Sequence, residues 1–166
     1  MRRSQDTNVE IWDCGGEFLV ECPKCRRCAV VLSQSPDVQV RLTCGSCGLA
    51  KPFVQSSPGV AYSSRQSHYK AGEITIGAPV DWYFHLPLWL RARCCGEELW
   101  AYNMSHLTLL ETFVSSLLRE RRPWAYGWHN KSLRGRLPKW MQAARNRQEI
   151  LRAIGKLKLR AEERNR

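Results

Sequence analysis

Two pairs of cysteines constrain this chain more than any other feature. Cys22-Pro23-Lys24-Cys25 and Cys44-Gly45-Ser46-Cys47 form a C-x2-C, eighteen residues, C-x2-C pattern. A two-residue gap turns the backbone tightly enough for both sulfurs of a pair to face one ion, and the N–H groups of the turn can then donate to the thiolates. Eighteen intervening residues suffice for a β-hairpin that carries the second knuckle opposite the first. Four thiolates close a tetrahedral shell around Zn2+ and leave no position for water, so the expected metal is structural rather than catalytic. The competing readings are redox dithiols, buried free thiols and iron–sulfur ligation. Redox pairs usually precede a helix in a βαβ unit, and that context is missing here.

Cys28 makes a second C-x2-C with Cys25, across Arg26 and Arg27. Pro23 favours Cys22 and Cys25 as the first pair, with Cys28 opening the outgoing strand. Cys14 is a further spare thiol, and a cluster using three of these cysteines remains the alternative. Four thiolates and one Zn2+ sum to −2, and Lys24, Arg26, Arg27 and Lys51 lie close enough in sequence to offset this or to contact phosphates. A ribbon this small buries little apolar surface, so metal binding is expected to supply most of its folding energy.

Eight cysteines in 166 residues suggest either an exported disulfide scaffold or metal ligation. The first residues, Met1 to Asn8, are polar with no apolar run behind them, so no signal peptide is expected. No stretch reaches the roughly 18 to 20 apolar residues that span a membrane. The expected setting is therefore a reducing cytoplasm, where close cysteines bind metal.

The net charge of +11 is one-sided. Residues 1–118 hold eleven basic and eleven acidic side chains, whereas residues 119–166 hold fifteen Lys and Arg against four Asp and Glu. Such a patch implies an anionic partner: nucleic acid (DNA or RNA) first, then an acidic protein surface, then lipid.

The patterning predicts an α+β chain. Residues 1–16 form a lead-in and 17–54 the ribbon, whose Val38, Val40 and Leu42 alternate as in a strand. Residues 55–72, rich in Ser, Gln, Gly and Pro, read as a linker or long loop. Residues 73–166 combine a β-hairpin, turning at Cys94-Cys95-Gly96, with a basic helical region. Asn103 or Ser105 can cap a helix that carries Leu107, Leu110, Phe113, Val114, Leu117 and Leu118 on one face and ends at Pro123. Pro138 suits the first turn of the next helix, a break is expected near Asn146, and Ile150, Leu151, Ile154 and Leu157 mark the last helix.

Cys94 and Cys95 invite a second metal site with His85 or His106, but neighbours in an extended chain point to opposite sides, so core packing at a turn is the expectation. No nucleophile–base pair, phosphate loop or paired-carboxylate motif stands out, and the chain is not expected to be an enzyme. The segment Trp124 to Arg136 mixes aromatics with cations, which suits stacking on bases plus phosphate neutralisation, or else tryptophans packed between helices. The candidate nucleic-acid contacts are Trp128, Lys131, Arg134, Arg136, Lys139, Arg145 and Arg147.

The four cysteines with Pro23 and Gly45 resemble the transcription-factor-B-type zinc ribbons over about residues 17–54, although Arg26 stands where that pattern usually has glycine. Leu86-Pro87-Leu88-Trp89-Leu90, Cys94-Cys95-Gly96, Leu99-Trp100-Ala101-Tyr102-Asn103 and His106-Leu107 resemble small bacterial zinc-ribbon proteins of no established activity. The resemblance implies structural zinc and either nucleic-acid binding or protein docking. The leading expectation is a non-enzymatic zinc-ribbon protein that binds nucleic acid through its basic C-terminal region. The rival is an adaptor or assembly subunit of a bacterial complex, docking through the tryptophan-rich hairpin 82–102 and helix 103–122.

Overall fold

The computed structural model describes residues 11–33, 39–56, 58–62, 69–116 and 137–164. After a 3-10 turn, Ile11–Cys14, the strands β1 (Glu17–Glu21), β2 (Cys28–Leu32), β3 (Arg41–Thr43) and β4 (Ala50–Pro52) form an antiparallel sheet in sequence order. The strand β5 (Val60–Tyr62), inside the stretch read as a linker, pairs in parallel with β6 (Ile74–Ile76). The strands β7 (Leu90–Cys94) and β8 (Glu97–Ala101) form a hairpin about the expected turn, over 90–101 rather than 82–102. The helices are α1 (Met104–Ser116), α2 (Lys139–Gln142) and α3 (Arg147–Glu163), with a 3-10 turn at Ala144–Asn146 where a break was expected. The chain is therefore α+β, as its patterning predicts. No described helix is long and apolar enough to cross a membrane.

Period-two alternation in β1 and β2 divides the interior. Leu19 lies opposite Val30, and both belong to a core shared with Leu90, Leu99, Leu107, Leu110, Ile150 and Ile154. Phe18 opposite Val31 and Val20 opposite Ala29 face the other way, into a core that holds Leu42, Ile76, Trp82, Leu88 and Tyr102. The first core is mainly helical. The second is aromatic, with the Phe18 ring meeting Trp82, Tyr83 and Tyr102 edge-on at centroid distances of 5.1, 5.9 and 5.2 Å.

The free edge of β1 is closed by the later chain. Leu19 N–H donates to the Tyr102 carbonyl, and the N–H groups of Glu21 and Trp89 bond Pro87 and Leu19 carbonyls respectively, each at 2.8 Å. These bonds and the two shared cores tie the ribbon to the hairpin and helices. The ribbon thus buries more apolar surface than its own length provides.

Asn103 is the cap of α1: its side-chain oxygen accepts the His106 N–H at 2.9 Å. Its amide donates to the carbonyls of Cys14 and Glu17, fastening the helix start to the start of β1. Ile150, Ala153, Ile154, Leu157 and Ala161 give α3 an inward stripe at helical spacing. Outside that stripe, Arg160 stacks over Trp89, 4.2 Å from the ring centroid.

Candidate metal centre

The two knuckles have the same construction. Cys22 N–H donates to the Arg27 carbonyl and Cys44 N–H to the Leu49 carbonyl, both at 2.8 Å. Inside each loop the fifth residue donates back to the first: Arg26 N–H to Cys22 O at 3.0 Å, Gly48 N–H to Cys44 O at 2.9 Å. That fifth residue is left-handed in both, with φ +64° at Arg26 and +73° at Gly48. The first cysteine of each pair is buried and the second half-buried.

All four sulfurs lie within 4.8 Å of one another. Cys22 Sγ is 3.7 Å from Cys47 Sγ, and Cys25 Sγ is 3.6 Å from Cys44 Sγ. A tetrahedral thiolate shell with metal–sulfur bonds of about 2.3 Å has edges of about 3.8 Å. The cross-knuckle distances match those edges, and the sulfurs are too far apart for disulfides, whose S–S bond is about 2.05 Å. The geometry is that of a metal site closed by four protein ligands.

Electrostatics point the same way. Burial raises the Cys44 thiol, but the N–H groups of Cys47 and Ser46 and the neighbouring sulfurs outweigh it and bring it down to about 7. The Arg27 N–H favours the Cys25 thiolate, yet burial and the sulfurs of Cys44, Cys22 and Cys47 push that thiol up to about 11. Thiols crowded this closely cannot all ionise unless a cation shares their charge.

Cys28 lies outside this quartet. It opens β2 on the same face as Val30 and packs against the helical core, opposite to Ala29 and Val31. Its carbonyl lies 3.9 Å from Cys44 Sγ. Burial pushes the Cys28 thiol up to about 11, against the opposing charge of Arg164. Cys14 is buried in the aromatic core, and burial followed by the charge of Asp13 pushes its thiol up to about 11.

Cys94 and Cys95 meet neither His85 nor His106. His106 is buried, its Nδ1 accepts the Tyr102 N–H at 3.2 Å, and burial lowers its pKa to about 4. His85 stacks on Tyr69 at a centroid distance of 5.0 Å, and burial lowers its pKa too. Among the described residues, the group that does reach the two thiols is Glu149, from the first turn of α3, and all three ligand atoms lie within 4.8 Å of one another. No local signal in the sequence links residues this far apart. Burial, then the Cys95 sulfur and the charge of Glu149, pushes the Cys94 thiol up to about 12.

Of the candidate nucleic-acid contacts, Trp128, Lys131, Arg134 and Arg136 lie outside the described residues. Lys139 and Arg145 are exposed, while Arg147 is half-buried and donates to the Ser115 carbonyl. Lys158 of α3 pairs with Glu111, and Arg164, just past the end of α3, with Glu17. Arg152 and Lys156 are exposed, four residues apart on one helix face. Comparison of the chain with protein-family models, curated proteins and solved structures finds no match.

Proposed function

We propose that this protein is a non-enzymatic zinc-ribbon protein of the transcription-factor-B type, with a structural Zn2+ on Cys22, Cys25, Cys44 and Cys47, and that its basic C-terminal region binds nucleic acid. The four-sulfur cluster with tetrahedral edge distances is the observation that supports the metal most. Zinc suits it because a closed thiolate shell leaves no exchangeable position and needs no redox chemistry. Elemental analysis of protein produced without added metal should find one tightly held zinc per chain in this quartet. Stoichiometric iron with visible thiolate-to-iron absorption would sink the zinc assignment.

Nucleic-acid binding is supported by the one-sided charge, fifteen basic against four acidic residues in the last 48. Among the described residues, Lys139, Arg145, Arg152 and Lys156 are exposed bases that form no ion pair. They are the phosphate contacts this reading favours, whereas Lys158, Arg160 and Arg164 are engaged within the fold. Binding of labelled single-stranded DNA, duplex DNA and RNA should weaken with salt. Four phosphate contacts give a log–log slope of about −3, since each releases roughly 0.7 to 0.9 of a counterion. Reversing all four charges should flatten that slope. No binding at low salt, or an unchanged slope in the reversed variant, defeats the proposal.

The adaptor reading draws less support. Its docking tryptophans are largely spent inside the molecule, with Trp82 3% exposed in the aromatic core and Trp89 covered by Arg160.

A further inference from the structure

The hairpin turn between β7 and β8 holds one residue that fits it poorly unless it serves another purpose. A two-residue turn with both φ values positive favours Asn-Gly or Asp-Gly. Here it is Cys95-Gly96, with φ +54° and +76°. A cysteine gains nothing conformationally in the left-handed region, where its Cβ crowds the following carbonyl.

The left-handed turn has one chemical consequence. Two adjacent residues in an extended strand point to opposite sides, but here the chain reverses at Cys95. The thiols of Cys94 and Cys95 come to lie 3.6 Å apart. That separation is close to the edge, about 3.8 Å, that two thiolates span on one tetrahedral ion. The helix α3 packs against β7 and supplies a third group. One oxygen of Glu149, Oε1, accepts the Cys95 N–H at 2.7 Å, which positions the carboxylate beside the sulfurs.

We propose that Cys94, Cys95 and Glu149 form a second metal site, open where the first is closed, that takes a thiophilic divalent cation of the zinc class. Two thiolates and one carboxylate supply three ligands and leave a fourth position to solvent, the arrangement of exchangeable rather than structural sites. Cys94 is buried, Cys95 half-buried and Glu149 exposed, so the ion enters from the Glu149 side. Binding releases the two thiol protons, including the one Cys95 shares with the Asn146 carbonyl at 3.9 Å. Three ligand charges and a divalent ion leave −1, and the positive charge of Arg145 acts on Cys95 to balance it.

The two sites are separable by counting. Full-length protein equilibrated with buffered free Zn2+ should carry two equivalents, the second exchanging readily with a mild chelator. Cys95→Asn places the residue best suited to the left-handed turn there, so the hairpin is kept while a ligand is lost. Glu149→Gln keeps an acceptor for the Cys95 N–H but removes the charge. Both variants should hold one equivalent, and with Co2+ as the probe Cys95→Asn should lose the thiolate-to-cobalt absorption of the second ion. Cys44→Ser removes the other equivalent, which distinguishes failure of the closed site from failure of this one. A single equivalent in the unaltered protein, or two in the folded Cys95→Asn and Glu149→Gln variants, overturns the proposal.

Discussion

The two cysteine knuckles and the loop Asp81–Leu86 follow one backbone path around different anions. In each, the first N–H donates to the carbonyl five residues on: Cys22 to Arg27 and Cys44 to Leu49 at 2.8 Å, Asp81 to Leu86 at 3.1 Å. In each, the fifth residue is left-handed, as His85 is with φ +54°. This path aims several N–H groups at one point, and that point requires an acceptor. In the knuckles the acceptor is a cysteine sulfur, whose charge as a thiolate a bound metal would share. In the third loop the Asp81 carboxylate accepts from Tyr83 at 2.9 Å, and from Phe84 and Leu86 at 2.7 Å. The shape itself therefore needs no metal. What a metal adds is the link between two such loops, which the sulfur–sulfur contacts place at the junction of β1–β2 and β3–β4.

Removing that link has the largest expected effect. Cys44→Ser deletes a buried ligand, and structural zinc in small domains contributes roughly 10 to 16 kcal/mol of binding energy. The expected result is loss of tight metal binding and a larger fall in thermal midpoint than Asp81→Asn, Arg26→Gly or Gly48→Ala gives. Because β1 and β2 are also held by both cores, hydrogen exchange should rise most in β3 and β4 and least in α1 and α3. Uniform protection after metal loss would mean that the metal does not join the loops.

Asp81→Asn tests the metal-free loop. It trades a charged acceptor for an amide whose NH2 faces backbone donors, at a cost of about 2 kcal/mol. Asp81 also responds to pH in the opposite sense to metal binding at the knuckles. Burial pushes its carboxyl up to about 6, against the bonds from Phe84, Leu86 and Tyr83. The folded state then binds more protons than the unfolded one, so this contribution grows as pH falls through 6. Between pH 7 and 5 the margin of wild type over Asp81→Asn should widen by about 1 kcal/mol. Metal affinity moves the other way, since protons compete for the thiolates. Denaturant titrations of both metal-loaded proteins across that range would show the divergence, and parallel curves would remove Asp81 as its source.

Much of this was legible in the chain, for local reasons. The ligand quartet follows from C-x2-C spacing, the hairpin from Leu90 and Leu99-Trp100-Ala101 flanking the Cys94-Cys95-Gly96 turn, and the last helix from Ile150, Ile154 and Leu157. Even the exclusion of Cys28 is a parity effect, since it shares a strand face with Val30. The illegible features depend on tertiary contacts or on a disguised pattern. Glu149 reaches Cys94 and Cys95 only because α3 packs on β7. Asp81-Trp82-Tyr83-Phe84-His85-Leu86 looks like a continuation of aromatic strand, and only the Asp at its start hints that it is a turn. The strand β5 hides among Ser, Gly and Pro because three paired residues leave little periodicity to detect.

The finest test lies within the pair of knuckles, which differ most simply at their left-handed residue. Gly48 carries no steric penalty there, whereas Arg26 does, by about 1 kcal/mol. The Arg26 guanidinium pairs with Glu21 at 2.9 Å, but the arginine side chain is 80% exposed, so the pair returns little of that strain. A Cβ built at Gly48 meets nothing within 4 Å, so Gly48→Ala adds backbone strain without a clash. Arg26→Gly should therefore stabilise the metal-loaded protein by somewhat under 1 kcal/mol, because glycine also loosens the unfolded chain. Gly48→Ala should destabilise it by about 1 kcal/mol. The double variant, with the glycine effectively moved from the second knuckle to the first, should come out close to wild type. Chemical denaturation of the four proteins at saturating metal reads these differences directly. If Arg26→Gly destabilises, the arginine does more in the first knuckle than occupy a strained position, and the equivalence of the two knuckles fails at that residue.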